Sequence, residues 1–600
     1  MMESKNPAET YNSRISELTI LLNVLTRKRN QLAWLRFAFV LGAFISAYFL
    51  WQSGLLFSIG SFILFFAAFL RIVVLDVKNR MRIENTNTLI DINKDEIKIA
   101  AHDFTHRNGG TRFLPAVHAY ASDLDIFGRA SLYQYLNRTT SEQGNQLFSN
   151  WLLEPSDEKN ILHRQEAAKE LSGKIEWRQQ LQAYGIKDHL TIDTEEKIQK
   201  WLKEENHFSN LGAWKISRFL LPAISLSSLI LCIAGFIPTP IFFGIAFLFF
   251  IISGAISKRI MPIYDNLNKI APQIETLSDS AQCIETTSFT AALAQQLQKH
   301  FYTGNQKAST AIKHLKSILD RFDIRLNPLV FIPLNTLLFW DLQQAFALEN
   351  WKDNHQEKAE QWFKSLGEME ALCTIANTSF NHPRWCFPAL SNEPGKLSAH
   401  ELGHPLIDES KRINNSFSTE GLNQFALVTG SNMAGKSTFL RSIGVNIVLA
   451  MMGSPVCATS FTLFPVKVMS SMRIADNLEE STSTFYAELK KLKSIIEAVN
   501  RNEKIFILLD EILRGTNSLD RHTGSKALTK QLIHHKAAGI IATHDVELAK
   551  LAEEFPTNIH NYHFDVQVAN DELYFDYKLK EGICQSMNAS ILMRKIGIEM

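Results

Sequence analysis

Two stretches of this chain contain no charged residue, Phe37 to Leu70 and Phe219 to Ser257. A membrane-crossing helix needs about 20 apolar residues, with a lower limit near 17, so each stretch is long enough for two spans rather than one. Turn signals fall at the midpoints, Gln52-Ser53-Gly54 in the first and Pro238-Thr239-Pro240 in the second. Each stretch therefore reads as a helical hairpin. Cations flank every end: Arg27, Lys28, Arg29 and Arg36, then Arg71, Lys78 and Arg80; Lys215 and Arg218, then Lys258 and Arg259. By the positive-inside rule all four flanks belong in the cytoplasm. The competing reading, two buried hairpins in a soluble core, leaves the uncharged lengths unexplained. A cleaved signal peptide is not expected, because residues 1–36 are polar and partly charged and no small-residue cleavage site follows a short apolar run.

With 600 residues the chain should hold several domains and bury at least one large core. Its 62 Lys+Arg against 61 Asp+Glu give a net charge of +1, which argues against a uniformly basic nucleic-acid coat. Any DNA contact must come from a local patch. Cys232, Cys283, Cys373, Cys386, Cys457 and Cys584 are scattered without a C-x-x-C pair or zinc-type spacing, a usage that suits a reducing cytosol.

Residues 76–218 and 258–400 are rich in Leu, Ala, Gln, Glu and Lys. Their apolar residues recur at helical spacing, as in Leu315, Ile318, Leu319 and Phe322. From about residue 424 short β-rich runs (425–428, 505–509, 540–542) alternate with helical stretches, which predicts a mostly parallel sheet with helices on its faces.

The strongest chemical signal is Gly430-Ser431-Asn432-Met433-Ala434-Gly435-Lys436-Ser437-Thr438, which fits G-x-x-x-x-G-K-S/T. It lies between the β-run at 425–429 and an apolar helical stretch at 439–452, where a phosphate-binding loop must lie. The glycines let backbone amides close around phosphate oxygens, and the helix N-terminus adds a favourable dipole. Lys436 would reach the β/γ-phosphates and the Ser437 hydroxyl would bind Mg²⁺. A second apolar run ends in Asp510-Glu511. There the first carboxylate would order Mg²⁺ and the second would polarise the attacking water. Ala542-Thr543-His544-Asp545 places a histidine at a strand C-terminus, where it would face the γ-phosphate.

Val428 to Arg441 resembles the phosphate-binding loop of the MutS-type DNA mismatch repair ATPases, whose pattern is T-G-P-N-M-A-G-K-S-T-x-L-R. Further similar segments follow in order: Glu401-Leu402-Gly403-His404-Pro405; Asp476-Asn477-Leu478 through Ser483-Thr484-Phe485; Asp510-Glu511-Ile512-Leu513-Arg514-Gly515-Thr516; and Ala542-Thr543-His544. Upstream, Ser131-Leu132 through Leu136-Asn137-Arg138-Thr139, then Gly144, Trp151-Leu152 and Pro155, resembles the start of that family's helical core.

The uncharged stretches predict the α-helical transmembrane hairpins of a multidomain fold, and the resemblance implies its remainder, an all-α core and lever domain and a C-terminal α/β P-loop NTPase of the ABC type. The expected segments are a cytoplasmic N-terminal segment 1–36, hairpins 37–75 and 219–257, a linker 76–117, helical core 118–218 and 258–400, and an ATPase domain 401–600. It further implies ATP and Mg²⁺ as cofactors and a homodimer in which Ser483, Thr484 and Asp520 approach the partner's site. Lys436, Glu511 and His544 would be the catalytic groups.

The departures matter. The family's mismatch-reading domain carries a Phe-x-Glu wedge; this chain contains no Phe-x-Glu, and too few residues precede the core for that domain. Ser431 replaces the usual Pro, Leu513 a Gly and Arg521 a Gly, and little chain follows the ATPase. Two functions stay open: an ATP-controlled clamp on mismatched or branched double-stranded DNA, and an ATP-driven assembly at the lipid bilayer that does not touch DNA. The two parts of the helical core must share one face of the membrane, which requires an even number of spans between them.

Overall fold

The computed structural model describes residues 6–304, 306–431, 433–472, 484–569 and 572–584. The chain divides into two compact units, residues up to 103 with 176–187, and the remainder.

The first unit is built on a hairpin of long helices, Pro7–Leu50 and Leu55–Ala100. Asn6 caps the first helix through a bond from the Ala8 amide (3.1 Å), with Pro7 pre-set at the first helical position. The turn between them needs a backbone conformation natural to glycine, and Gly54 supplies it at φ 124°. The seam of the first helix changes character along its length. Tyr11, Leu18, Leu25 and Leu32 are buried at seven-residue intervals, a coiled-coil spacing. Beyond Arg36, which pairs with Asp76 at 3.1 Å, small residues take over. Gly42 leaves room for the Phe65 ring, and Ser58 Oγ donates to the Ala47 carbonyl (2.8 Å). Close approach through small and hydroxyl residues is how helices pack where apolar burial gives no advantage. Helix Ile175–Lys187 joins this unit through paired amides, Asn93 with Gln179 and Asn85 with Gln180.

In the second unit, helices Glu142–Leu153 and Glu158–Ser172 pack on Ala359–Asn381. Buried carboxylates tie distant segments together. Glu370 accepts from Thr140 Oγ1 (2.5 Å), Ser141 Oγ (2.5 Å) and the Ser141 amide (3.0 Å). Burial pushes its pKa up, partly offset by these donors. Glu349 accepts from the amides of His207, Phe208 and Ser209 at 2.6–3.2 Å. The second apolar hairpin consists of Gly212–Ile233 and Thr239–Asn268. Beside it lies a short apolar helix, Pro328–Leu338, with Leu329 88% exposed. Asn335 Nδ2 donates to Ser257 Oγ (3.1 Å), and the Asn335 side chain accepts from the Asp341 amide, next to the Arg325–Asp341 pair (2.5 Å).

Among the described residues four helices are long and apolar enough to cross a membrane: the two of each hairpin. Only 11% of the apolar stretch is buried in each of the first three, and 17% in the fourth, so their apolar surface faces outward.

The C-terminal part holds a six-stranded sheet in the order Glu572–Glu581, Ile559–Ala569, Phe425–Thr429, Ala538–Thr543, Ile505–Asp510, Lys467–Ser471. All neighbours are parallel except the edge strand Glu572–Glu581. The three central strands are buried on both faces, which explains their unbroken apolar runs. A four-stranded sheet of short strands (389–390, 460–463, 397–402, 415–419) lies beside it.

Candidate functional site

The candidate site forms where the central parallel strands end. Strand Phe425–Thr429 runs into the 430–435 loop, and Lys436 opens helix Lys436–Met452. Gly430 turns the chain at φ 149°, and a Cβ there would lie 2.9 Å from the Phe564 carbonyl. Gly435 holds φ 109°, close against the Tyr577 ring. Both positions favour glycine for conformation, and Gly430 also for space. Lys436 Nζ donates to the carbonyls of Gly430 (2.9 Å) and Ser431 (3.0 Å) and lies 3.4 Å from His544 Nε2. Burial lowers the Lys436 pKa, while the carboxylates of Glu511 and Asp510 work in the opposite direction.

Asp510 ends strand Ile505–Asp510 and is buried; burial raises its pKa, and a hydrogen bond from Ser437 partly offsets this. Its Oδ1 is buried without a hydrogen-bond partner among the described residues. An orphaned carboxylate oxygen beside a hydroxyl is a hard-oxygen pair that suits Mg²⁺, which is commonly held by one or two protein oxygens plus water and substrate phosphates. Glu511 turns sharply at φ 49°, its amide donating to the Ala542 carbonyl (2.9 Å). Its carboxylate meets His544 Nε2 at 2.5 Å and Arg514 Nη2 at 2.9 Å. Burial favours the neutral acid, but the His544 hydrogen bond and the charges of His544, Arg514 and Lys436 outweigh it and hold the Glu511 pKa low. The structure therefore brings Lys436, Ser437, Asp510, Glu511 and His544 to one place.

A cavity of about 400 Å³ opens on this cluster, lined by residues 433–439 with His404, Arg412, Phe564 and Tyr577. Met433 lies on it with φ 66°, and Ala434, Ser437 and Thr438 complete its loop side. Asn432 and Ser483 lie outside the described residues; Thr484 opens helix Thr484–Asn500. The Asp520 carboxylate accepts from Asn517 Nδ2 (2.7 Å) at the N-terminus of helix Ser518–His534.

Two contributors carry no sequence signal of their own. Glu488, on helix Thr484–Asn500, accepts from the Leu513 amide at 2.5 Å. It thereby holds Leu513 at φ 61°, a left-handed conformation that glycine adopts more readily. Lys491 on the same helix pairs with Asp123 (2.9 Å), which also accepts from Ser470 Oγ (2.7 Å). Only the tertiary fold brings these residues together.

His404 makes a pH-dependent contribution. Burial, with Arg441 and Arg412 nearby and against the pull of Asp125, pushes its pKa down to about 4. The unfolded chain, with a value near 6.5, therefore takes up this proton first as the pH falls. The stability from a neutral His404 is present above about pH 6.5 and is lost progressively toward pH 4, on the order of 3 kcal/mol in all. Thermal melting of the detergent-solubilised protein at pH 7.5 and 5 should show this loss, and His404→Asn should reduce it. An equal pH dependence in the variant would rule the contribution out.

Residues 426–595 match MutS domain V. Over 213 residues the chain is 36% identical to MutS protein homolog 4 of Homo sapiens, covering 34% of this chain and 22% of that protein. It is 28% identical over 237 residues to the DNA mismatch repair protein MutS of Natronomonas pharaonis, covering 38% and 27% of the two. The matched stretches thus span about a quarter of the length of these relatives.

Proposed function

The chain belongs with the MutS proteins through its C-terminal domain, and on that premise we propose that it is a membrane-anchored P-loop ATPase that works as a homodimer. The observation that supports ATP hydrolysis best is the contiguous set Lys436, Ser437, Asp510, Glu511 and His544 at the carboxyl ends of parallel strands. Residues 430–438 cradle the phosphates, with Lys436 neutralising the transferred group. Ser437 and Asp510 would hold Mg²⁺, which would supply charge stabilisation to the phosphates when bound. Glu511 keeps its charge beside Arg514 and Lys436 and orients water, while His544 fixes the Glu511 carboxylate. In the dimer, Ser483 and Thr484 would approach the partner's γ-phosphate and Asp520 would lie at the dimer contact.

The outward apolar surfaces of both hairpins support anchoring in the lipid bilayer. Helix Ala359–Asn381 packs on helices 142–172, so the intervening second hairpin must cross an even number of times. Four spans with both termini cytoplasmic satisfy this. In a background lacking Cys232, which lies near the second turn, single cysteines at Ser53 and Thr239 should label from outside intact cells, and those at Ser4 and Met587 should not. Labelling at either of the last two would overturn the topology.

The first reading is that the ATPase cycle drives a clamp on mismatched or branched double-stranded DNA; the relative from Natronomonas pharaonis is named a DNA mismatch repair protein. A net charge of +1 and the absence of a Phe-x-Glu wedge favour the second reading, an ATP-driven membrane assembly without DNA contact. Binding of the detergent-solubilised protein to homoduplex, mismatched and branched DNA, with and without ATP, separates them. Affinity that falls steeply with salt supports the clamp, because phosphate neutralisation releases counterions. No binding at low salt leaves the assembly reading.

A further inference from the structure

Where the second apolar hairpin meets the helical core there is a cavity of about 510 Å³, bounded by helix Ile192–Lys203, the 204–207 segment and the end of helix Thr239–Asn268. Lys197, Lys200, His207 and Arg259 line it, against a single acidic residue, Glu204. Lys197 is paired with Asp193 at 2.6 Å on the exposed face. Neither Lys200 nor Arg259 has a hydrogen-bond or ion-pair partner among the described residues. The walls are rigidly held. Glu349 fixes the backbone at 207–209, Trp201 stacks on Trp351 at 5.8 Å, and Lys352 Nζ donates to the Glu204 carbonyl (2.7 Å).

The cavity's depth relative to a membrane follows from the helix itself. The uncharged part of Thr239–Asn268 ends at Ser257. At 1.5 Å per residue that part is about 28 Å long, close to the hydrocarbon thickness of a bilayer. Arg259 then falls in the headgroup layer. The exposed apolar helix Pro328–Leu338, bonded to Ser257 through Asn335, marks the same level independently.

We propose that this cavity binds the phosphate of an anionic phospholipid from the cytoplasmic leaflet, with Lys200 and Arg259 as its charge partners. The inference rests on the membrane-anchored reading above. A guanidinium forks around two phosphate oxygens and an ammonium adds a point charge, so the pair recognises a phosphate at a defined place. Diffuse attraction to an acidic surface would instead depend on every nearby cation alike.

The test compares wild type with Lys200→Gln/Arg259→Gln, with the charge-preserving Lys200→Arg/Arg259→Lys, and with Lys215→Gln/Lys258→Gln, which removes as much charge beside the span but outside the cavity. Flotation with phosphatidylcholine vesicles and resistance to alkaline extraction address anchoring alone. If wild type fails there, the membrane reading fails, whatever the cavity binds. Native mass spectrometry from detergent then titrates phosphatidylglycerol, phosphatidylcholine and inorganic phosphate. Wild type, the charge-preserving variant and the Lys215/Lys258 variant should retain one phosphatidylglycerol, and the Lys200/Arg259→Gln variant should bind it about tenfold more weakly or worse. Equal retention by that variant, or equal loss in the Lys215/Lys258 variant, would overturn the proposal. Inorganic phosphate bound as tightly as the lipid would overturn the lipid assignment.

Discussion

Lys436→Ala will lose ATP hydrolysis, by at least about 10²- to 10³-fold, the range for deleting a group aimed at developing transition-state charge. The side chain is buried and donates to the Gly430 and Ser431 carbonyls. Its removal therefore takes the Lys436 ammonium from this cluster while leaving the helix start intact, because alanine is the best helix former. The Glu511 carboxylate would keep its His544 and Arg514 partners. The loss should appear in kcat without a change in melting temperature large enough to indicate unfolding. Lys436→Arg should not rescue it, because a planar fork cannot replace a point charge between two carbonyls. Turnover near wild type in purified Lys436→Ala would mean that the ATP site lies elsewhere.

What could be read from the sequence was local. An apolar run, two glycines and a lysine at fixed spacing specify a strand, a tight loop and a helix start, and the structure places all three between Phe425 and Met452. The turn residues Gly54 and Pro238 likewise fall between helices, Gly54 just before Leu55–Ala100 and Pro238 just before Thr239–Asn268. The rest depends on contacts between positions far apart in the chain. Helix Pro328–Leu338 is too short for a span and carries Pro333 inside it, so no length criterion identifies it. Nothing in the pattern at 484–500 says that Glu488 will hold the Leu513 amide, or that Lys491 will reach Asp123. Leu513 shows the same limit from the other side. In the sequence it is a departure from the family's glycine. The structure offsets its left-handed backbone by burying the side chain in the core with Leu528 and by the Glu488 hydrogen bond.

Glu511→Gln separates an enzyme from a passive nucleotide binder. If Glu511 orients and polarises the attacking water while Asp510 handles the metal, the amide preserves size and some hydrogen bonding, so Mg-ATP affinity should persist. Turnover should fall by about 10²- to 10⁴-fold, the usual contribution of a general base. The variant loses the charge that the His544 and Arg514 contacts stabilise, at 2.5 and 2.9 Å, so His544 should swing less firmly toward position 511 and the fall should not be rescued at higher pH. The ATP-bound state should then accumulate as dimer, each chain's Ser483 closing the other's site. Asp510→Asn should behave differently. It changes the carboxylate whose Oδ1 has no hydrogen-bond partner among the described residues, so it should raise the Mg²⁺ concentration needed for half-maximal activity as well as slow the reaction. Size-exclusion chromatography in detergent with ATP, alongside steady-state turnover across Mg²⁺ concentrations, reads both effects. Parent-rate hydrolysis by Glu511→Gln would remove Glu511 from the mechanism. A variant that binds ATP yet stays monomeric would remove the shared two-chain site while leaving the single-chain cluster of Lys436, Ser437 and Asp510 in place.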